Sequence, residues 1–158
     1  ADYASGNIES FKVNADAFMS LIGDMDRLLA TRDEFLLGNW LESAKAMGDT
    51  PEESKLYEKN ACNLLGTWGN KDCKLFDYAC KQWSGMMNGY YKQRWSLFFE
   101  DVLANWGHYD QKEFAEKCKD YEWDWISDTT CFPTETIGDE IEVVKSIWSK
   151  YSSDLLND

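Results

Sequence analysis

The sequence predicts an all-α domain of six or seven helices in a bundle-like array. Apolar residues recur three and four positions apart over most of its 158 residues, which is the spacing of one face of a helix. Alternating apolar and polar residues, the pattern of a half-buried strand, do not run for a useful length anywhere. The connections are short and no repeat of fixed period is present, so we expect one helical unit over residues 1–158.

The first helix is predicted from about Glu9 to Leu29. Its apolar positions lie on one face: Phe18, Leu21, Ile22, Met25, Leu28 and Leu29. Thr31 and Glu34 have the spacing of a capping box and predict the start of a second helix, which ends at Gly48. That helix would carry the apolar residues Phe35, Leu36, Trp40, Leu41 and Ala44.

A stronger start signal follows at Thr50, Pro51 and Glu53, with Thr at the cap, Pro at the first helical position and Glu three residues after the cap. The third helix then runs through Leu65. Between Gly66 and Lys74 the composition turns to Gly, Asn, Asp and Trp, which indicates a loop.

Helical spacing resumes from Phe76 to Met87 and, after a break at Gly89, continues to Leu103. Its apolar positions are Phe76, Ala79, Trp83, Met86, Met87, Trp95, Phe98, Phe99, Val102 and Leu103. A weaker helix is predicted over 111–125. The last one follows the segment 132–134 and presents one apolar face: Ile137, Ile141, Val144, Trp148 and Tyr151.

The composition excludes several classes of function. The formal net charge is −13, and no cluster of Lys and Arg is present, so the chain repels a phosphate backbone and an anionic lipid surface. No apolar run approaches the roughly 18 residues that a bilayer span needs, since Asp24, Asp26 and Arg27 interrupt the longest ones. We therefore expect no nucleic-acid partner and no membrane partner. The chain begins with Ala1, which indicates a processed chain or a fragment.

Metal and nucleophile chemistry find little support. The five cysteines contain no C-x-x-C pair, are too few for a disulfide scaffold and favour structural or disulfide roles; their odd number leaves at least one thiol free or bonded to another chain. His108 is the only histidine, and a surface or helix-capping role is favoured for it. Close carboxylate pairs such as Glu52 with Glu53, or Glu113 with Glu116, fit helix starts and polar faces. No cofactor and no metal are predicted.

Aromatic residues are the unusual signal, with eight Trp, eight Tyr and eight Phe. Three groups are candidates for a surface that stacks on a sugar or contacts a partner: Trp68, the pair Tyr90 and Tyr91, and the run 121–125. For the run 121–125, packing of helix on helix is the favoured interpretation. Trp68, in a loop of small polar residues, has no helical face against which to pack.

Four motifs, in order and in spacing, resemble one family. They are FLLGNWLE at 35–42, NLLGTWG at 63–69, DYACKQWSGM at 77–86 and YYKQRW at 90–95. The stretch from about residue 11 to 106 is similar to the C-terminal helical domain of the α-N-acetylglucosaminidases, glycoside hydrolase family 89. That lysosomal family removes terminal α-linked N-acetylglucosamine from heparan sulfate.

The resemblance implies a larger enzyme, with a small N-terminal domain and a (β/α)₈-like catalytic barrel, on whose active-site side this domain packs. Two glutamates of the barrel, an acid/base and a nucleophile, do the chemistry with retention of configuration. None of them lies in the matched motifs here, so this chain alone should be inactive and supplies no catalytic residue. Its partners would be the barrel portion and a glycan substrate.

The resemblance also implies three substrate-binding residues, which would form one wall of the pocket: Trp68, Leu75 and Tyr78. The loop between Trp68 and Asp77 is longer than the usual form and lacks the Pro that often follows the W-G pair, which affects the placement of Leu75. Arg94 matches an Arg of the family motif, and we interpret it as a structural contact between charge and aromatic rings.

Two hypotheses remain at this level. In the first, the chain is part of a lysosomal or secreted glycosidase, and it exposes a large apolar surface when it is separated from the barrel. In the second, it is a non-catalytic helical module that binds a carbohydrate or a protein. Homo-oligomers are the general expectation for such enzymes, with no motif to support a number. The chain has no N-x-S/T sequence, so a glycan would lie on another part of the enzyme.

Overall fold

The computed structural model describes residues 1–74, 77, 79–128 and 130–156, with side chains as far as 153. It confirms the all-α class, since the described residues contain seven α-helices and no strand. The helices are α1 Asp2–Ser5, α2 Ile8–Leu29, α3 Leu37–Lys45, α4 Pro51–Leu65, α5 Lys92–Ala104, α6 Gln111–Trp125 and α7 Glu140–Leu156. A 3₁₀ turn, Asp33–Phe35, precedes α3, and a π-helical segment, Met87–Tyr91, runs into α5.

The core lies where α3, α4, the π-helical segment and the end of α6 meet. Its buried members are Leu37, Leu41, Ala61, Cys62, Leu65, Met86, Tyr90, Trp125 and Ile126. Trp40 Nε1 donates a hydrogen bond to the Ala61 carbonyl at 3.2 Å and ties α3 to α4 at the edge of this core. The loop that leaves α4 at Gly66 therefore begins at the edge of this core.

The predicted start of α4 is confirmed in atomic detail. Thr50 Oγ1 accepts a hydrogen bond from the Glu53 amide at 3.2 Å, and Glu53 Oε2 accepts one from the Thr50 amide at 3.1 Å. Pro51 occupies the first turn, where its missing N–H is not needed. The loop from Gly66 to Lys74 also follows as predicted.

The capping box predicted at Thr31 is wrong. The Thr31 hydroxyl instead donates to the Leu28 carbonyl at 2.8 Å and so closes the end of α2, and Glu34 pairs with Arg32. An α-helix does not start before Leu37 because the backbone here is paired elsewhere: the Leu37 amide donates to the Ser84 carbonyl at 3.1 Å and the Ser84 amide to the Phe35 carbonyl at 2.8 Å. Helix α3 accordingly begins at Leu37 and ends at Lys45, inside the predicted span.

The predicted helix from Phe76 to Met87 is mostly wrong, because Ala79 and Trp83 lie in an irregular segment. Phe76 lies outside the described residues. Gly89 is no break, since it lies within the continuous π-to-α helix. A Cβ added at Gly89 would lie 3.1 Å from the Phe132 ring, and one added at Gly85 would lie 2.7 Å from it. Gly89 therefore allows the Phe132 ring to pack closely against the helix. From the sequence alone, a glycine at this position predicts a break in the helix.

Asp26 of α2 joins two distant parts of the chain. Its carboxylate is 9% exposed and accepts hydrogen bonds from the Gly85 amide at 2.7 Å, the Asn88 amide at 3.1 Å and the Ser84 hydroxyl at 3.3 Å. It thus satisfies orphan amides at the start of the π-helical segment from another helix. The sequence pattern shows Asp26 only as an interruption of an apolar run.

The two C-terminal helices are also close to expectation. Helix α6 has the predicted bounds, and Asp110 caps it by accepting from the Lys112 and Glu113 amides. Helix α7 begins later than its apolar pattern indicates, because the Ile137 amide donates to the Ala30 carbonyl and holds that residue outside the helix. The short helix α1 was not expected from the sequence. No described helix combines the length and apolar character that a membrane span requires.

Many large apolar side chains of the described residues are exposed, as predicted for a domain that is covered by a larger neighbour. A group on and before α7 forms one stripe: Ile137, Ile141, Val144 and Trp148. Their exposed fractions are 48–58%, and Ile141, Val144 and Trp148 lie at helical spacing along one face of α7.

Candidate functional site

Unusual backbone is concentrated in the loop between α4 and the π-helical segment. Trp68, Asp77 and Cys80 have φ of 59°, 54° and 49°, and they are the non-glycine residues with positive φ among those described. Each such conformation costs of order 1–3 kcal/mol and persists where the surroundings fix it, which is typical of binding sites. We call residues 66–80 the W-G loop.

Trp68 is presented by the first turn of the W-G loop. Its amide donates to the Asn63 carbonyl at 2.7 Å, and the buried Thr67 donates its hydroxyl to Asn63 Oδ1 at 2.5 Å. These bonds fix the backbone at Thr67 and at the amide of Trp68, a residue that is 40% exposed. Trp68 is therefore anchored at its amide and partly exposed. Leu75 and Tyr78, the other two predicted binding residues, lie outside the described residues.

The far end of the W-G loop is closed by Asp77. Its amide donates to the Gly66 carbonyl at 2.8 Å, and its Oδ2 accepts from Arg94 Nη2 at 2.6 Å. Arg94 Nη1 donates to Glu122 Oε1 of α6, also at 2.6 Å. One guanidinium thus links the loop, α5 and α6.

Arg94 also lies over two aromatic rings, which confirms its predicted contact with them. Its guanidinium carbon is 5.2 Å from the ring centre of Tyr90 and 5.5 Å from that of Tyr91. Burial alone would lower the pKa of Arg94, but the hydrogen bonds to Asp77 and Glu122 outweigh it and raise that pKa. Burial raises the pKa of Glu122 against the opposing effect of Arg94, and it raises the pKa of Tyr91 to about 12.

A cleft of about 450 Å³ opens beside this ion pair, between α5 and α6. Its walls combine the charged groups of Asp77, Arg94 and Glu122 with the rings of Trp95, Phe98 and Phe114. Both carboxylates are engaged by Arg94, so the cleft offers binding groups rather than a free acid and base. Among the described residues, no three His, Cys, Asp or Glu side chains are grouped so as to hold a metal ion.

The other aromatic candidates are structural. Tyr90 is fully buried in the core, and Trp125 is 7% exposed. The Tyr121 hydroxyl donates to the Gly89 carbonyl at 3.0 Å and lies near the Tyr90 carbonyl at 3.2 Å. The interpretation of the run 121–125 as helix packing is confirmed for Tyr121 and Trp125.

The remaining polar candidates have ordinary surroundings. No disulfide joins any two of the five cysteines within this chain, and burial raises the pKa of Cys62 to about 12. His108 is exposed just after α5. Glu53 is used in the α4 cap, while Glu113 and Glu116 pair with Lys117 and Lys119. None of these carboxylates lies in a cleft with a free partner carboxylate.

Glu122 gives a pH dependence that can be measured. Its folded-state pKa is raised above the ordinary 4.5, so its contribution to stability is fully present below 4.5 and is lost as the pH rises through the folded-state pKa. We expect the stability advantage of the wild type over Glu122→Gln to be larger near pH 4.5 than at neutral pH. Urea unfolding at both pH values measures it; an advantage that shrinks on acidification contradicts the assignment.

The sequence of this chain matches a known protein family. The family model described as "Alpha-N-acetylglucosaminidase (NAGLU) C-terminal domain" matches residues 1–150. The human protein named alpha-N-acetylglucosaminidase is 34% identical over 134 residues, which are 83% of this chain and 18% of the human one. The chain therefore spans about a fifth of the length of this relative.

Solved structures agree. A family 89 glycoside hydrolase from Clostridium perfringens in complex with PUGNAc is 31% identical, with a TM-score of 0.84 over 99% of this chain and 19% of that one. The same bacterium's enzyme with two glutamates changed to glutamine, in complex with its substrate GlcNAc-α-1,4-galactose, gives a TM-score of 0.81 at 31% identity, over 94% of this chain and 18% of that one. Sequence, fold and the ordered motifs agree, and the chain belongs to the α-N-acetylglucosaminidase C-terminal domain family.

Proposed function

We propose that this domain acts within an α-N-acetylglucosaminidase that hydrolyses terminal α-linked N-acetylglucosamine, with heparan sulfate as the glycan, in the lysosome or after secretion. The catalytic glutamates lie on a separate barrel, and the domain supplies one wall of the substrate pocket. Its binding residues are Trp68, Leu75 and Tyr78. The chain alone does not hydrolyse a glycoside, and its partners are the barrel and the glycan.

The presentation of Trp68 is the observation that carries this proposal. An indole that is 40% exposed, on a left-handed backbone fixed by Asn63, is arranged for contact with something outside the domain. The apolar face of a sugar ring stacks on such an indole, while polar groups nearby satisfy its hydroxyls. Leu75 and Tyr78 follow in the same loop, so the three side chains belong to one short segment.

The chemistry requires groups that the described cleft does not offer. Retaining hydrolysis needs two carboxylates roughly 5–5.5 Å apart across the scissile bond, one as nucleophile and one as acid/base. The carboxylates in the described cleft, Asp77 and Glu122, are both paired with Arg94. The domain thus contributes to binding and orientation, and the exposed apolar stripe of α7 is consistent with a covering neighbour.

Replacing Trp68 with alanine tests the pocket wall. In the full-length protein that contains this domain, we expect kcat/KM for an aryl α-N-acetylglucosaminide to fall by about tenfold or more, because a stacking surface is removed. Trp68→Phe should keep much of the activity, since it retains an aromatic face. Leu56→Ala, which shortens an apolar side chain that is 53% exposed on α4, outside both the W-G loop and the stripe of α7, is the control.

Unchanged kcat/KM in Trp68→Ala would refute the wall. The competing function is that of a non-catalytic module. The native mass of the material distinguishes this module from part of an enzyme. A larger chain that copurifies with this domain and hydrolyses the glycoside supports the enzyme, whereas an isolated monomer that binds N-acetylglucosamine without hydrolysing any glycoside supports the module.

A further inference from the structure

We propose that Arg94 is a positioning residue for the substrate-binding wall, acting through Asp77 on the loop that carries Trp68. The inference rests on the function proposed above. Arg94 lies on α5, and its described contacts are with other residues of the domain. Its role in substrate binding is therefore indirect.

Within the W-G loop, Gly66 and Asp77 are held together. The hydrogen bond of 2.8 Å from the Asp77 amide to the Gly66 carbonyl joins them. Gly66 lies two residues before Trp68, and Asp77 immediately precedes Tyr78. The position of Asp77 is therefore coupled to the backbone two residues before Trp68.

Asp77 is held in place by Arg94. Its φ of 54° is unfavourable for a residue with a Cβ, so it persists only with support from its surroundings. Arg94 Nη2 supplies that support at 2.6 Å, while Nη1 is fixed at 2.6 Å by Glu122, whose side chain is 5% exposed. The orientation of the guanidinium is further limited by the rings of Tyr90 and Tyr91 beneath it.

This arrangement requires arginine, and another cation such as lysine does not replace it. A planar fork with five donors can hold two carboxylates in fixed directions, whereas a lysine ammonium is a single point charge on a flexible stem. Arg94→Lys therefore preserves the positive charge between Asp77 and Glu122 but no longer fixes the directions of the two hydrogen bonds. Small displacements of binding groups have large kinetic effects.

The test uses the full-length protein and p-nitrophenyl α-N-acetylglucosaminide as the probe. We expect Arg94→Lys and Asp77→Asn each to raise KM about tenfold with a smaller change in kcat, as for loss of uniform binding. The matched control is Asp101→Asn. Asp101 pairs with Lys117 at 2.6 Å between the same two helices, and no contact joins it to the described part of the W-G loop. It should keep the wild-type KM.

A double variant separates positioning from a merely structural role. If Arg94 acts through the loop, Trp68→Ala and Arg94→Lys should be non-additive in KM, since the first removes what the second displaces. A merely structural Arg94 would lower the melting temperature and leave KM unchanged below it, which overturns the inference. Should Arg94→Lys not fold, the nearly isosteric Asp77→Asn decides in the same way.

The two failures are distinguishable. Wild-type kcat and KM in Trp68→Ala overturn the proposed wall, and the positioning role with it. A raised KM in Trp68→Ala together with a wild-type KM in both Arg94→Lys and Asp77→Asn overturns the positioning role alone.

Discussion

Replacing Arg94 with alanine is expected to lower the free energy of unfolding by about 3–5 kcal/mol, because it leaves two carboxylates without their common cation. The side chain of Glu122 is 5% exposed and that of Asp77 is 26% exposed, so water can solvate them only in part. Glu122 would respond by taking up a proton, since burial already raises its pKa. The loss should therefore be larger at neutral pH than in mild acid.

Urea unfolding followed by circular dichroism measures this loss. Lys117→Ala is a suitable control because Lys117 also bridges to α5, yet its side chain is 47% exposed, and such a surface pair contributes about 1 kcal/mol or less. Equal losses in the two variants would show that Arg94 is an ordinary surface cation.

The second large effect is expected at Asp26, where alanine should cost about 3 kcal/mol. Hydrogen bonds to a charged acceptor contribute about 1.5–3 kcal/mol each and are not additive, and the change also strands the amides of Gly85 and Asn88. The π-helical segment would lose the anion at its first turn. Asp26→Asn should cost less, because one acceptor oxygen remains.

Thermal unfolding compares these variants with Asp16→Ala, which removes an exposed carboxylate from the same helix. We expect Asp16→Ala to lie within about 0.5 kcal/mol of the wild type. A loss at Asp26 no larger than that at Asp16 would show that the three hydrogen bonds add nothing to stability.

Local signals in the sequence predicted the fold where the chain obeys them. The box at Thr50 and Glu53 is confirmed because nothing else competes for that backbone. The same pattern at Thr31 failed because residues 35–37 pair with Ser84, almost fifty positions away. A long-range partner of this kind leaves no periodic trace in the sequence.

The candidate site divides in the same way. Trp68 could be singled out because an aromatic residue among small polar ones has no helical face, and the motif NLLGTWG gave it a role to test. The network that supports it could not be predicted, since Asp77, Arg94 and Glu122 come from three separate segments. Spacing predicts neighbours on one helix, whereas the partners of a buried cation are set by tertiary packing.

The attachment of α7 has a consequence for how the domain opens. Side-chain hydrogen bonds join it to α2: Lys150 and Tyr151 both donate to Asp24, and Arg27 donates to Ser146. A helix attached in this way can detach while the core of α3 and α4 stays closed. Its amides would then exchange with deuterium through local opening, and faster as salt screens the charges. A neighbour that covers its apolar stripe would slow that exchange, so the exchange rate of α7 reports whether the domain is assembled.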